Sequence, residues 1–170
     1  KRGFSVPVIF SFLLASIFTN GSTYRFYQKQ KEQLSFSDKT FRNVLNDPHT
    51  HWQKLLILVA KSVITFLRPL TDDARKTTFI VDDSMYSRLN AKKVECAALQ
   101  YDHAKKKYFK GFRYLQLGWS DGNSFVPVAF SLLSGKRKLQ SDLDIGDQRT
   151  NRGKRKAQAL RKGTEVTLEL

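Results

Sequence analysis

The spacing of apolar residues changes character at Pro69, and that change restricts the chain to an α/β (α+β) architecture. Before it, apolar residues recur at helical intervals. Leu55, Val59, Val63 and Phe66 share one face of a helix expected from about His51 to Leu67, which Pro69 ends. After it, the apolar runs are short and rich in β-branched and aromatic residues, as strands are: Thr77 to Asp83, Lys110 to Ser120 and Ser124 to Leu133. Asp121-Gly122, between the last two, is a two-residue hairpin signal. Pro127 has no N–H to give to a ladder, so the third run is expected at a sheet edge.

Three more helices are expected upstream. Ser5 caps the first, with Pro7 in its opening turn where a missing N–H costs little, and Asn20-Gly21 stops it. A second runs from Thr23 to Gln33, and Ser37 caps a third, Asp38 to Asn46, closed by Pro48. The expected organisation is a helical region at 1–68, a polar linker at 69–76 and a sheet-containing region at 77–170. From Gly135 the chain turns basic and polar, with Asp142, Asp144 and Asp147 interspersed. It reads as a mobile loop until Thr164 to Leu170 begins another helix.

Charge narrows the partner. Lys and Arg number 30 against 15 Asp and Glu, a net +15 with a pI near 10.1. That excess points to a polyanion: nucleic acid first, an anionic membrane second, with a ribosome-like structural role equally compatible. The single cysteine, Cys96, excludes an intrachain disulfide, and with three histidines no zinc-ligand spacing exists. Cys96 is expected to be a small buried apolar residue. The run Phe4 to Phe18 follows Lys1-Arg2 but is shorter than the roughly 20 residues a bilayer requires. Pro7, Ser11 and Ser16 interrupt it, and Thr19-Asn20-Gly21-Ser22 reads as a turn rather than a cleavage site. A buried helix in a cytoplasmic protein is expected.

Phe79-Ile80-Val81-Asp82-Asp83-Ser84 places two carboxylates at the end of an apolar strand, pointing to opposite faces. A carboxylate held by a sheet and still open to solvent suits Mg²⁺, a hard ion that takes oxygen donors in fixed geometry. A helix cap or a turn uses the same residues, and both readings stand on spacing alone. The helix after Ser37 offers Lys39, Thr40, Arg42 and Asn43, with Phe41, Val44 and Leu45 for the core. Arg and Asn on a short helix suit base-edge readout by a helix-turn-helix, and a merely solvated face is the alternative. Two basic clusters would release counterions from phosphates: Lys105-Lys106-Lys107 with Lys110, and the C-terminal stretch that holds Lys136-Arg137-Lys138 and Lys154-Arg155-Lys156. The aromatics beside the first, Tyr101, Tyr108, Phe109 and Phe112, are expected in the core.

In order, Ile80-Val81-Asp82-Asp83-Ser84, Lys92-Lys93-Val94-Glu95, Tyr101-Asp102-His103, Lys107-Tyr108 and Lys110-Gly111-Phe112 resemble DDE transposases of bacterial insertion sequences. Leu117-Gly118-Trp119-Ser120-Asp121-Gly122 and Phe125-Val126-Pro127-Val128 continue the likeness. The resemblance implies an RNase H-like mixed sheet whose first three strands are antiparallel neighbours. It implies that Asp83, just before Ser84, is the first catalytic and metal-binding carboxylate, with Asp82 as fallback. It further implies Mg²⁺ (or Mn²⁺), two-metal phosphoryl transfer, double-stranded DNA bearing terminal inverted repeats, a possible homodimer, and a nucleoid-associated protein without a membrane role. The second Asp and the final Glu are expected beyond Leu170, because Asp142, Asp144 and Asp147 do not end a strand and Glu165 and Glu169 precede the next one. The chain is therefore expected to be an N-terminal fragment that does not cleave or join DNA alone. Two rivals are a non-enzymatic helix-turn-helix-like regulator and a membrane-surface protein anchored by Phe4 to Phe18.

Overall fold

The computed structural model describes residues 3–19, 21–72, 74–90, 92, 94–135 and 145–170. They pack as two compact units, Lys1–Thr50 and His51–Leu170. The break falls before the fourth helix, so this helix belongs by its contacts to the sheet rather than to the helices that precede it.

The first unit holds α1 (Val6–Ile17), α2 (Thr23–Gln30) and α3 (Asp38–Asn46). Pro7 sits in the first turn of α1, and Ser22 caps α2 by accepting from the Arg25 N–H at 3.2 Å. α1 is apolar nearly all round, yet only Ile9, Phe12, Leu13 and Ser16 are buried. Val6, Val8, Leu14 and Ile17 face solvent, which corrects the expectation of a buried helix. Two short neighbours cover one stripe of α1 and leave the rest. No described helix is long and apolar enough to cross a membrane. Phe12 is the centre of this core. Its ring lies 5.2 to 6.4 Å from those of Phe26, Tyr27, Phe36 and Phe41. Leu45, expected in the core, is 45% exposed, while Phe41 is buried.

The second unit begins with α4 (Trp52–Leu67), whose last turn tightens into a 3₁₀ turn at Arg68–Leu70. Four strands follow: β1 (Thr78–Ser87), β2 (Ala98–Asp102), β3 (Lys107–Ser120) and β4 (Phe125–Leu133). Then come α5 (Asn151–Ala159) and α6 (Gly163–Thr167). β3 is the hub. It pairs antiparallel with β1 from Gly111 to Ser120, with β2 from Lys107 to Gly111, and with β4 from Arg113 to Ser120. Among the described residues β4 has no second strand neighbour. Pro127 lies on it beside the register shift opposite Leu117 and Gly118, where a missing N–H is harmless. Ala60, with Ile64 and Leu67, packs on Trp119, Val126 and Val128, and Val166 seals Leu115 and Leu133 from the α6 side.

Several expectations need correcting. β1 runs on to Ser87, so Asp83 is in mid-strand and not at its end. β1 is largely exposed, because β3 is its only strand neighbour among the described residues. β2 is not among the expected strands, and β3 starts at Lys107 rather than Lys110. Ser120 pairs with Phe125, so four residues and not two close that hairpin. There Asp121 is buried, accepting from the N–H groups of Asn123 and Ser124 and from the Thr71 hydroxyl, and these donors hold its carboxyl below the usual range. The expected loop at 151–162 is largely helix: the Thr150 hydroxyl caps α5 by accepting from the Gly153 N–H at 3.1 Å. On α4, Val59, Val63 and Phe66 face solvent and Ala60 faces the sheet.

Two glycines make a test of the β1–β3 pairing. A Cβ on Gly111, which is paired to both Ser87 and Ala98, would sit 2.1 Å from the Tyr86 carbonyl oxygen. On Gly118 it would meet only the ring of Phe125, which is half exposed and can swing away. Gly111→Ala is expected to cost about 2–3 kcal/mol and Gly118→Ala under about 1 kcal/mol, read by urea denaturation. Equal losses would mean that Gly111 is not clamped between strands.

Candidate active-site carboxylates and nucleic-acid contacts

Register decides where the two carboxylates point. Asp83 lies opposite Leu115 and Asp82 opposite Gln116. Asp83 therefore shares its face with Phe79, Val81 and Met85 on β1 and with Arg113, Leu115 and Trp119 on β3, the face on which α4 and α6 pack. Asp82 shares the other face with Tyr114, whose hydroxyl is pushed up mainly by burial and secondarily by the Asp82 charge. Asp82 accepts from the Ser84 hydroxyl at 2.7 Å.

Arg113 sits diagonally across from Asp83 and grips it with two nitrogens: Nε donates to Oδ1 at 3.3 Å and a terminal nitrogen donates to Oδ2. Both side chains remain about 40% exposed, at 41% and 36%. A pair that open is worth ~0–1 kcal/mol in stability. Its consequence is geometric, since a forked guanidinium fixes the plane of the carboxylate. Sequence reading does not find Arg113, because the diagonal contact depends on a register that the hairpin signal leaves open.

The described residues do not by themselves make up a two-metal centre. No three of their His, Cys, Asp and Glu side chains cluster closely enough to hold a metal ion. Asp147 is taken by Arg149, and Glu165 and Glu169 by Arg161. Asp142 and Asp144 lie outside the described residues. Asp83 is thus a single oriented carboxylate, and one carboxylate cannot hold two hard cations.

The cationic candidates divide by environment. Lys39, Arg42 and Asn43 are exposed on α3, where Arg42 pairs with Asp38 at 3.5 Å and lies over the Tyr24 ring at 5.5 Å. Lys105, Lys106 and Lys107 are exposed at the turn between β2 and β3. Lys136, Arg137 and Lys138 lie outside the described residues. On α5, Lys154 is exposed, whereas Lys156 is held by Glu95 at 3.3 Å together with Arg152, which keeps the Glu95 carboxyl below its usual range. Arg155 stacks 4.7 Å over the Phe130 ring, and burial lowers its proton affinity. Lys154 and Arg155 line a cleft of about 280 Å³ with Trp52, Gln53 and Gln158. Sequence reading misses this cleft, since α4 and α5 are far apart along the chain. Cys96 is half-buried, and that burial pushes its thiol up.

The family model described as DDE superfamily endonuclease matches residues 29–170. No curated protein and no solved structure matches the chain. The matched stretch takes in α3 and the whole second unit, and the chain belongs to the DDE superfamily endonuclease family. Membership makes this a nuclease-type protein, from a superfamily that takes DNA as substrate and generally uses divalent metal ions.

Proposed function

We propose that this chain serves DNA transposition as part of a bacterial insertion-sequence transposase. It binds the double-stranded terminal repeats of the element and contributes Asp83 as one carboxylate of a Mg²⁺ (or Mn²⁺) centre that cleaves and joins DNA strands. The observation that carries the reading is the family match over residues 29–170, within which Asp83 lies on β1 and is oriented by Arg113. A net charge of +15 supports a polyanionic partner. The other carboxylates of the centre then come from outside the described residues. Helix α3, with Lys39, Arg42 and Asn43, is the element proposed to read base edges. Lys105, Lys106, Lys107 and Lys154, with Lys136, Arg137 and Lys138, are assigned to phosphates, whereas Lys156, paired with Glu95, and Arg155, stacked on Phe130, are left to the fold. Pairing of two element ends by a homodimer belongs to the same proposal, as does a nucleoid-associated cytoplasmic location.

The test is binding to a duplex carrying the element's terminal repeat against a shuffled duplex of equal composition, by fluorescence anisotropy. The repeat is expected to bind at least about 1,000-fold more tightly. Affinity for both is expected to fall about 10³-fold between 50 and 200 mM salt, as for roughly six phosphate contacts. Equal affinity for the two duplexes would remove terminal-repeat recognition. Absence of binding at low salt would remove the DNA-binding reading altogether.

A further inference from the structure

The turn that joins β2 to β3 combines two features that a structural hairpin does not need. The first is aromatic. Tyr101 and Tyr108 face each other across the strands, with ring centroids 5.0 Å apart, and His103 meets Tyr101 edge to face at 4.9 Å. The sequence leads one to expect these rings in the core with Phe109 and Phe112. Only the latter two are buried, while Tyr101 is 38% and Tyr108 61% exposed. Strand alternation separates Phe109 from the two tyrosines, whereas Phe112 shares their face and is buried farther along β3, opposite Tyr86. Phe109 lies on the face with Ala98, Gln100 and Asp102, which are buried, and Tyr101 and Tyr108 lie on the opposite face with half-buried or exposed Leu99 and Lys110.

The second feature is cationic. Lys105, Lys106 and Lys107 follow closely on His103, all exposed, and none of their ammonium groups pairs with a carboxylate among the described residues. The backbone holds this tip in shape. Asp102 accepts from the N–H groups of Ala104 and Lys105 at 2.9 and 3.0 Å, and Lys106 takes a left-handed φ of +50°. The charge of Asp102 is thereby spent on the turn rather than on the lysines.

We propose that this hairpin is a stacking ledge for single-stranded DNA: unpaired bases lie on the exposed rings of Tyr101 and Tyr108, and the adjoining phosphates rest on Lys105, Lys106 and Lys107. In a duplex the faces of the bases are already stacked, so surface rings of this kind gain contact only where a strand has opened. Lysines alone would serve either form of DNA, and it is the pair of exposed rings beside them that selects the open strand. The inference rests on the DNA-handling reading above and adds to it the form of DNA taken at this place.

The experiment uses the full chain with a fluorescein-labelled oligothymidylate of about twenty nucleotides, a length that covers one such site. A blunt duplex of the same length is titrated in parallel. Tyr101→Ala and Tyr108→Ala are each expected to weaken oligothymidylate binding roughly tenfold without changing its salt dependence. The duplex affinity of both variants should stay within about twofold of the parent. Tyr108→Phe keeps the ring and is expected to bind as the parent does. Lys106→Ala is expected to reduce the steepness of the salt dependence by about 0.7 on the single strand. Because these side chains are exposed, circular dichroism should show every variant folded. The ledge is overturned alone if both alanine variants bind oligothymidylate like the parent while duplex binding persists. If neither DNA binds, the ledge and the DNA reading fail together.

Discussion

Replacing Phe12 with alanine is expected to unfold the Lys1–Thr50 unit at 25 °C. Phe12 is 6% exposed and touches four other aromatic rings, so alanine removes the piece around which Tyr27, Phe36 and Phe41 are arranged. Such a truncation costs about 3–5 kcal/mol. A compact unit of this size has a total stability of only about 3–7 kcal/mol, so the loss consumes most or all of it. Hydrogen exchange read residue by residue should show α1, α2 and α3 losing protection in the variant while β3 and β4 keep theirs. Val8→Ala, on the exposed flank of the same helix, is the control and should leave protection unchanged. A Phe12→Ala protein with wild-type protection in α1 would mean that the aromatic cluster is not what holds this unit together.

The elements whose caps and breakers are local are legible in the chain itself. Pro48 and Pro69 follow helix ends closely, Ser5 and Ser37 stand at the expected N-caps without a side-chain capping bond, and Pro127 falls on β4, whose one partner among the described residues is β3. What stays hidden depends on neighbours. α4 carries apolar residues on several faces, so periodicity does not decide between the side holding Val59 and Val63 and the side holding Ala60. Close approach to Trp119 and Val126 selects the small Ala60. α5 reads as part of a loop because its stretch is basic and polar with aspartates interspersed; within it a Cβ on Gly153 would come within 2.2 Å of the Asp147 carbonyl oxygen. Close packing, not turn formation, explains that glycine. β2 is short, and its alternating burial only becomes meaningful once Tyr101 is known to face Tyr108.

The candidate site is legible to the same degree. Strand alternation puts Asp82 and Asp83 on opposite faces from sequence alone, but which of those faces the helices cover, and which arginine reaches over, follow from the β1–β3 register. That register separates the two carboxylates chemically. Asp83 is clamped by Arg113 on the helix-packed side, whereas Asp82 hydrogen-bonds Ser84 beside the Tyr114 phenol.

The role of Asp83 is therefore the claim on which the functional account turns. Asn has the shape of Asp without its charge, so Asp83→Asn would keep the strand and at most one of the two Arg113 hydrogen bonds while removing an anionic oxygen donor. The side chain is partly exposed, and neither Asp83→Asn nor Asp82→Asn should shift the unfolding midpoint measurably. Their effects on chemistry should differ by orders of magnitude. The decisive measurement is the rate of divalent-ion-dependent strand cleavage by the natural protein and by each of these two variants, on duplex DNA carrying the element's terminal repeat. Asp83→Asn is expected to slow cleavage at least about 1,000-fold, equivalent to roughly 4 kcal/mol in the barrier, while Asp82→Asn stays within about tenfold of wild type. A full loss in Asp82→Asn with Asp83→Asn still active would move the catalytic role to the other face of the sheet. Wild-type cleavage by Asp83→Asn would contradict the account.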